Sequence, residues 1–236
     1  MRNFDLPFSR KKLYFLLFHF TLGTYALYPM LIVAVLARSN RMDLMGNPSV
    51  DLFYTVFLLF LSIYLTKDYL LLMVDRFRHE PGLNLKTVFI TLPLMLGTSI
   101  ILNYAITRFT GLDASQNQNE LIKIFGDYPL LLIFQALIFA PIVEELMYRG
   151  LVFGMLQKRS QNFAIIFSSL FFGLAHVYPS IFDGQYADLL FLPTYFMLGF
   201  WLNRSYIKSK SLVTPVIIHF INNAIGIFAI YLSSII

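Results

Sequence analysis

The chain has 236 residues, of which 58% are hydrophobic, 17% aromatic and only 13% charged, with a mean hydropathy of +0.68. Soluble domains carry about 25% charged residues, so a soluble globular enzyme is excluded and a polytopic helical membrane protein is expected. The net charge of +5 is spread over short loops between apolar runs, the distribution that orients a membrane protein, and nucleic acid is set aside as a partner. No cysteine is present, which excludes disulfides, thiolate metal sites and a cysteine nucleophile.

Seven apolar segments follow one another at 13–37, 52–74, 88–106, 128–157, 163–178, 187–202 and 212–230. Most approach or exceed the roughly 20 residues with which a helix crosses about 30 Å of hydrocarbon, and a helix is the open-chain element that satisfies its own backbone in lipid. The fold class expected is all-α, a transmembrane bundle of about seven crossings (six to eight). Ahead of the first run, Arg2, Arg10, Lys11 and Lys12 mimic the charged start of a signal peptide. The run behind them is far longer than the 7–15 residues of a signal core, so an uncleaved anchor is expected. With the N-terminus in the cytoplasm, twelve Lys and Arg fall in inner segments and four (Arg38, Arg41, Arg108 and Lys123) in outer ones, as the positive-inside bias requires.

The stretch 108–127 is the longest polar one and reads as an exposed outer loop. The chain accordingly divides into N-terminal accessory helices (1–110), an outer polar loop (111–127) and a C-terminal core (128–236). In the first part, His19 and His79 lack partners at useful spacing, and Lys67 lies where it can snorkel. Trp201, Tyr206 and Tyr178 suit an interfacial aromatic belt. Asn203 opens a glycosylation triplet, but on the predicted cytoplasmic side.

Charge at bilayer depth costs about 2.5–3.5 kcal/mol per residue even on lenient scales, so polar groups inside the later segments demand a partner, a wet cavity or a task. Three places stand out. In the fourth segment Glu144 and Glu145 precede Arg149; Glu145 and Arg149 are four apart and share a helix face, so they can pair. Glu144 points about 100° away, free to bind or to take a proton. Pro141, just before, either kinks this helix or begins a new one. In the fifth segment Phe172 lies one turn before His176, where its ring can fix the imidazole. In the last, His219 and Asn223 share a face, and both can donate hydrogen bonds to an oxyanion. Measured from nearby cytoplasmic basic residues, Glu144, His176, His219 and Asn223 lie roughly 21, 25, 13 and 20 Å deep along their helices, close enough for tilt to join them.

A carboxylate, two histidines and an asparagine in a protected pocket suit hydrolysis by an activated water, with the oxyanion held by His and Asn. Glu144, His176 and His219 are equally a candidate ligand set for a catalytic zinc with one open position; spacing does not choose between the two. The motifs H-E-x-x-H and G-x-S-x-G of other hydrolases are missing from the sequence.

Together, Glu144–Glu145 with Arg149, Phe172 with His176, and His219 with Asn223, in this order in separate membrane segments, resemble the CPBP family (CAAX proteases and bacteriocin-processing enzymes, also called Abi) over about residues 128–230. The resemblance implies an all-helical intramembrane endopeptidase using a glutamate-activated water, its metal dependence debated. By position it implies Glu144 as the catalytic glutamate, Glu145 and Arg149 as its supporting pair, and His176 as the histidine that positions water or the carboxylate, with Phe172 beside it. His219 and Asn223 are implied as the oxyanion-stabilising pair. The expected substrate is a membrane-associated peptide or protein, and the expected location a bacterial plasma membrane. Two alternatives stay open: a non-catalytic membrane binder, in bacteriocin immunity or regulation of a membrane partner, and a transporter. Substrate identity and oligomeric state are unread.

Overall fold

The structure, a computed structural model, describes residues 6–235; Arg2, counted above in the basic N-terminal segment, lies outside them. Among the described residues there are eight helices and no strands: α1 (Arg10–Arg38), α2 (Pro48–His79), α3 (Pro81–Thr110), α4 (Gln116–Asp127), α5 (Pro129–Leu156), α6 (Gln161–Phe182), α7 (Leu192–Ser209) and α8 (Val213–Ile235). Six of them, all but α4 and α7, are long and apolar enough to cross a membrane. The chain is therefore a multi-pass integral membrane protein. At 32 residues, α2 spans roughly 48 Å, well beyond the hydrocarbon core, so its polar last turn reaches the headgroups. Side chains such as Phe53, Phe89 and Ile100 stand exposed on the bundle, as a lipid-facing surface requires.

α7 lies along α6 and α3. Its 18 residues begin later than the predicted sixth segment because 186–191 form a 3₁₀ turn and Pro193 starts the helix. Lipid tails are as apolar as leucine, so close packing and hydrogen bonds, rather than hydrophobic burial, hold such helices together. Two glycines make the α6–α7 contact possible. A Cβ on Gly199 would lie 3.0 Å from Ser169 Cα, and one on Gly173 would lie 3.0 Å from the Phe196 backbone nitrogen. Polar staples sit beside this contact: Asn203 is fully buried and donates to Ser169 Oγ at 3.0 Å, which explains Asn203 without glycosylation.

Several sequence expectations are corrected. The polar stretch 108–127 is not a loop throughout, since Gln116–Asp127 is helical. Ser115 caps it by accepting from Gln118 N–H, and the start of the helix is tied down where Gln116 N–H donates to Asp188 Oδ1 at 2.8 Å. Tyr206 is no belt residue: it is 1% exposed, and its hydroxyl pairs with that of Tyr69 at 2.9 Å. His19 does have partners, Tyr28 Oη at 3.1 Å and Ser62 Oγ at 3.0 Å. The first of these lies nine residues on, across a segment wound in the wider i→i+5 register (His19–Leu27).

Candidate active site

Pro141 neither breaks α5 nor starts a helix, because α5 absorbs it by widening. Over Gln135–Phe139 the helix takes the i→i+5 register, and Ala140 N–H reaches back to Gln135 O. The next carbonyl in that register, Ala136 O, faces Pro141, which has no N–H to give. Asn223 of α8 supplies the missing donor, its Nδ2 standing 2.8 Å from Ala136 O. A second widened stretch, Leu146–Phe153, follows the two glutamates. Such bulges re-aim side chains and are common at functional sites.

Between the two bulges the acidic pair divides as its spacing predicts. Glu145 is fully buried, and its Oε1 accepts from Arg149 Nη1 at 2.7 Å. Arg149, also fully buried, donates through Nη2 to Gly199 O at 3.0 Å and lies over the Phe172 ring at 4.7 Å. The ion pair thus ties α5 to α6 and α7.

Glu145 Oε1 takes a second donor, His219 Nδ1 at 2.9 Å. Because a carboxylate only accepts, Nδ1 carries a proton, which leaves Nε2, an acceptor when the ring is neutral, turned outward. That Nε2 lies 4.0 Å from Glu144 Oε2, beyond a direct hydrogen bond. Among the described residues Glu144 Oε2 accepts no hydrogen bond. Its side chain is 26% exposed and lines a cavity of about 390 Å³ that Phe20, Tyr25, Tyr54 and Gln135 also line. Helices α1 and α2 therefore supply much of the wall facing Glu144.

His176 joins the cluster from another side. Its Nδ1 donates to Phe172 O at 2.8 Å, so its Nε2 is likewise an acceptor when the ring is neutral. The ring packs on Phe172, as its spacing predicts, at a centroid distance of 4.6 Å, and stacks on Tyr195 at 4.7 Å. His176 has no hydrogen bond to Glu144; it lines a second cavity, of about 320 Å³, with Tyr195, Asn222 and Asn103. The structure thus gathers Glu144, Glu145, Arg149, Phe172 and His219 in one cluster, with His176 against Phe172. Asn223 points its amide at the backbone of α5.

Two residues were missed by sequence reasoning. Tyr195 stacks on the His176 ring and is itself held by Ser115 Oγ at 2.6 Å. No sequence signal marks it, since its partner stands on α6 and tyrosine is frequent in this chain. Asn222, beside Asn223, was visible as an intramembrane polar group and faces the His176 cavity. As for metal, among the described residues no group of three or more His, Asp or Glu is arranged to hold an ion. Of the candidate ligands, Glu144 and His176 line different cavities and His219 Nδ1 is given to Glu145, so this donor set does not fit a zinc site.

Residues 126–225 match the family model described as type II CAAX prenyl endopeptidase Rce1-like. The chain is similar to the membrane-embedded CAAX protease MroQ of Staphylococcus aureus (strain USA300), with 29% identity over 138 residues, 55% of this chain and 51% of MroQ. It is also similar to YdiL of Bacillus subtilis (strain 168), with 30% identity over 110 residues, 46% of this chain and 41% of YdiL. The match thus spans about half the length of these relatives. No solved structure matches. The matched segment holds both glutamates, Arg149, both site histidines and Asn223, and over it the chain is similar to the CAAX proteases and their relatives.

Proposed function

We propose that the protein is an intramembrane endopeptidase of a bacterial plasma membrane, hydrolysing a peptide bond of a membrane-associated protein or peptide with a water activated by Glu144. One observation carries this: a membrane-embedded carboxylate whose Oε2 accepts no hydrogen bond among the described residues faces, at 4.0 Å, a histidine that a buried ion pair holds in place. Two polar atoms so separated can share a water. A salt bridge in lipid needs one carboxylate; the second has no hydrogen bond among the described residues to explain it.

In the reaction, Glu144 takes a proton from water and the hydroxide attacks the scissile carbonyl carbon. Negative charge gathers on the carbonyl oxygen. His219 enters this step protonated on both ring nitrogens, donates Nε2–H to that oxygen and keeps its proton throughout, with the Glu145 carboxylate behind Nδ1 supporting the cation. Asn223 keeps one N–H on Ala136 O and has a second to offer the oxyanion. Glu144 then returns its proton to the leaving amine. Arg149 holds Glu145, and His176, packed against Phe172 and Tyr195, orients water or substrate through Nε2. No step passes through a metal. The first 110 residues serve as accessory helices whose α1 and α2 shape the cavity in front of Glu144, and 128–236 form the catalytic core.

One set of contacts favours the non-catalytic alternative: Asn223 to Ala136 O and Arg149 to Gly199 O bind helices together. The test compares peptide N- and C-termini in membranes of cells making the wild type or Glu144→Ala at matched levels. Ends that appear only with the wild type support proteolysis and name a substrate. No Glu144-dependent ends, with the phenotype intact in the variant, would leave a membrane binding protein.

A further inference from the structure

Away from the acidic site, a hollow of about 330 Å³ opens between α3 and α7. Lys86 reaches it from the beginning of α3, and Arg204 and Lys208 from the last two turns of α7. Among the described residues no acidic one lines it, and none of the three cations forms an ion pair. Deeper along the same helices the lining becomes apolar, with Ile90, Leu94 and Trp201. Trp201 is fixed there, its indole N–H donating to Thr98 Oγ1 of α3 at 3.1 Å.

Three like charges around one hollow repel each other and gain from an anion between them. An inorganic anion would satisfy the cations but not the apolar half. An acyl chain alone would satisfy the apolar half but not the cations. Both ends are matched by a molecule with a phosphate at the headgroup level and a hydrocarbon chain below it. The cations also stand on the side of the bundle where Lys and Arg concentrate, the side on which basic pockets between transmembrane helices meet anionic headgroups.

We infer that the α3–α7 hollow is a binding site for an anionic glycerophospholipid. Its phosphate sits among Lys86, Arg204 and Lys208, and one acyl chain lies along Ile90, Leu94 and Trp201. The inference is independent of the proteolytic chemistry. It gives α7 a further anchor to α3, besides the Trp201–Thr98 and Thr194–Asn103 hydrogen bonds, and α7 carries the Tyr195 that stacks on His176.

Trp201 is the single tryptophan of the chain, so its fluorescence reports on this hollow alone. The full chain is reconstituted in phosphatidylcholine vesicles and titrated with phosphatidylglycerol carrying a nitroxide on one acyl chain. The control titration uses phosphatidylcholine labelled at the same carbon. The expected result is half-maximal quenching at a mole fraction roughly tenfold lower for the anionic lipid, from about 1 kcal/mol per basic residue near the surface, partly offset by screening. The triple variant K86Q/R204Q/K208Q erases that preference and leaves quenching at the phosphatidylcholine level. Equal quenching of the wild type by both lipids overturns the inference, and this arm needs no variant to fold. Displacement of the anionic lipid by millimolar inorganic phosphate would overturn it too, marking a free-anion site.

Discussion

The side-chain amide of Asn223 donates to the Ala136 carbonyl across 2.8 Å, the very carbonyl that Pro141 leaves without a backbone donor. A residue that reads from sequence as an oxyanion ligand thereby also repairs the helix bearing the two glutamates. Asn223→Ala should cost about 1 kcal/mol. That falls between the membrane mean of about 0.6 for an interhelical hydrogen bond and the ~1–3 for a buried group left unpaired. Pro141→Ala returns an N–H to this point of α5, so Asn223→Ala should cost less in that background. A double-mutant cycle on thermal stability in detergent checks this; equal costs in both backgrounds would contradict it.

Arg149 and Glu145 are both fully buried and joined at 2.7 Å. Removing one member of such a pair costs about 3–5 kcal/mol, because the other is left as an uncompensated charge. Arg149→Met should therefore yield protein that aggregates on extraction. Adding Glu145→Gln should recover much of the folded yield, which size-exclusion chromatography would show. A double variant no better than the single would mean that Arg149 acts chiefly through Gly199 O.

Gly199 is where α7 meets α6, with no room for a Cβ beside Ser169. Gly199→Ala should lower stability by about 1–3 kcal/mol, the usual cost of overpacking, because the neighbour in the way is backbone. It should also shift the carbonyl that Arg149 uses. Unchanged thermal stability would show that the two helices separate more readily than their contact implies.

Tyr195 makes two kinds of contact, a ring stack on His176 at 4.7 Å and a hydroxyl bond to Ser115 at 2.6 Å. If the ring positions His176, Tyr195→Phe should keep most cleavage. Tyr195→Leu should lower kcat roughly 10- to 100-fold, the scale of a small misplacement of a catalytic group, with a smaller change in KM. Equal losses in both variants would assign the effect to the tie between α4 and α7 instead.

The cavity before Glu144 is walled in part by α1 and α2, outside the segment that matches the family. Filling it with Thr24→Trp should raise KM by about tenfold, the scale of a modest pocket misfit, while a substrate with a smaller side chain loses less. Kinetics on two peptides of different bulk would check this. An unchanged ratio would place the substrate elsewhere.

The features legible in the sequence were those that a fixed period exposes. The apolar runs marked the long helices, four-residue spacing paired Glu145 with Arg149, and depth along each helix placed His219 near both glutamates. The rest depends on backbone register and on contacts between distant elements. The Asn223–Ala136 bond exists because α5 widens at Gln135–Phe139, which no side-chain pattern announces. Tyr206 looks like an interfacial tyrosine by type alone, and contacts with distant elements, such as Tyr69 on α2 and Phe153 on α5, make it a core residue. By contrast, α4 was readable: Ser115 and Gln118 form the start of a capping box, and Leu121, Ile122 and Phe125 recur at helical spacing behind it. Its Gln and Asn content made it look like a loop.

The most direct test of the central claim is cleavage by purified, reconstituted protein of a substrate identified from Glu144-dependent peptide ends, with the wild type and Glu144→Gln compared. Glutamine keeps the shape and hydrogen-bonding capacity of the side chain but cannot take a proton from water. Glu144→Gln is expected to fold with wild-type thermal stability and to cleave at least ~10²-fold more slowly, the usual scale of general-base catalysis. Cleavage at the wild-type rate by folded Glu144→Gln would contradict the claim.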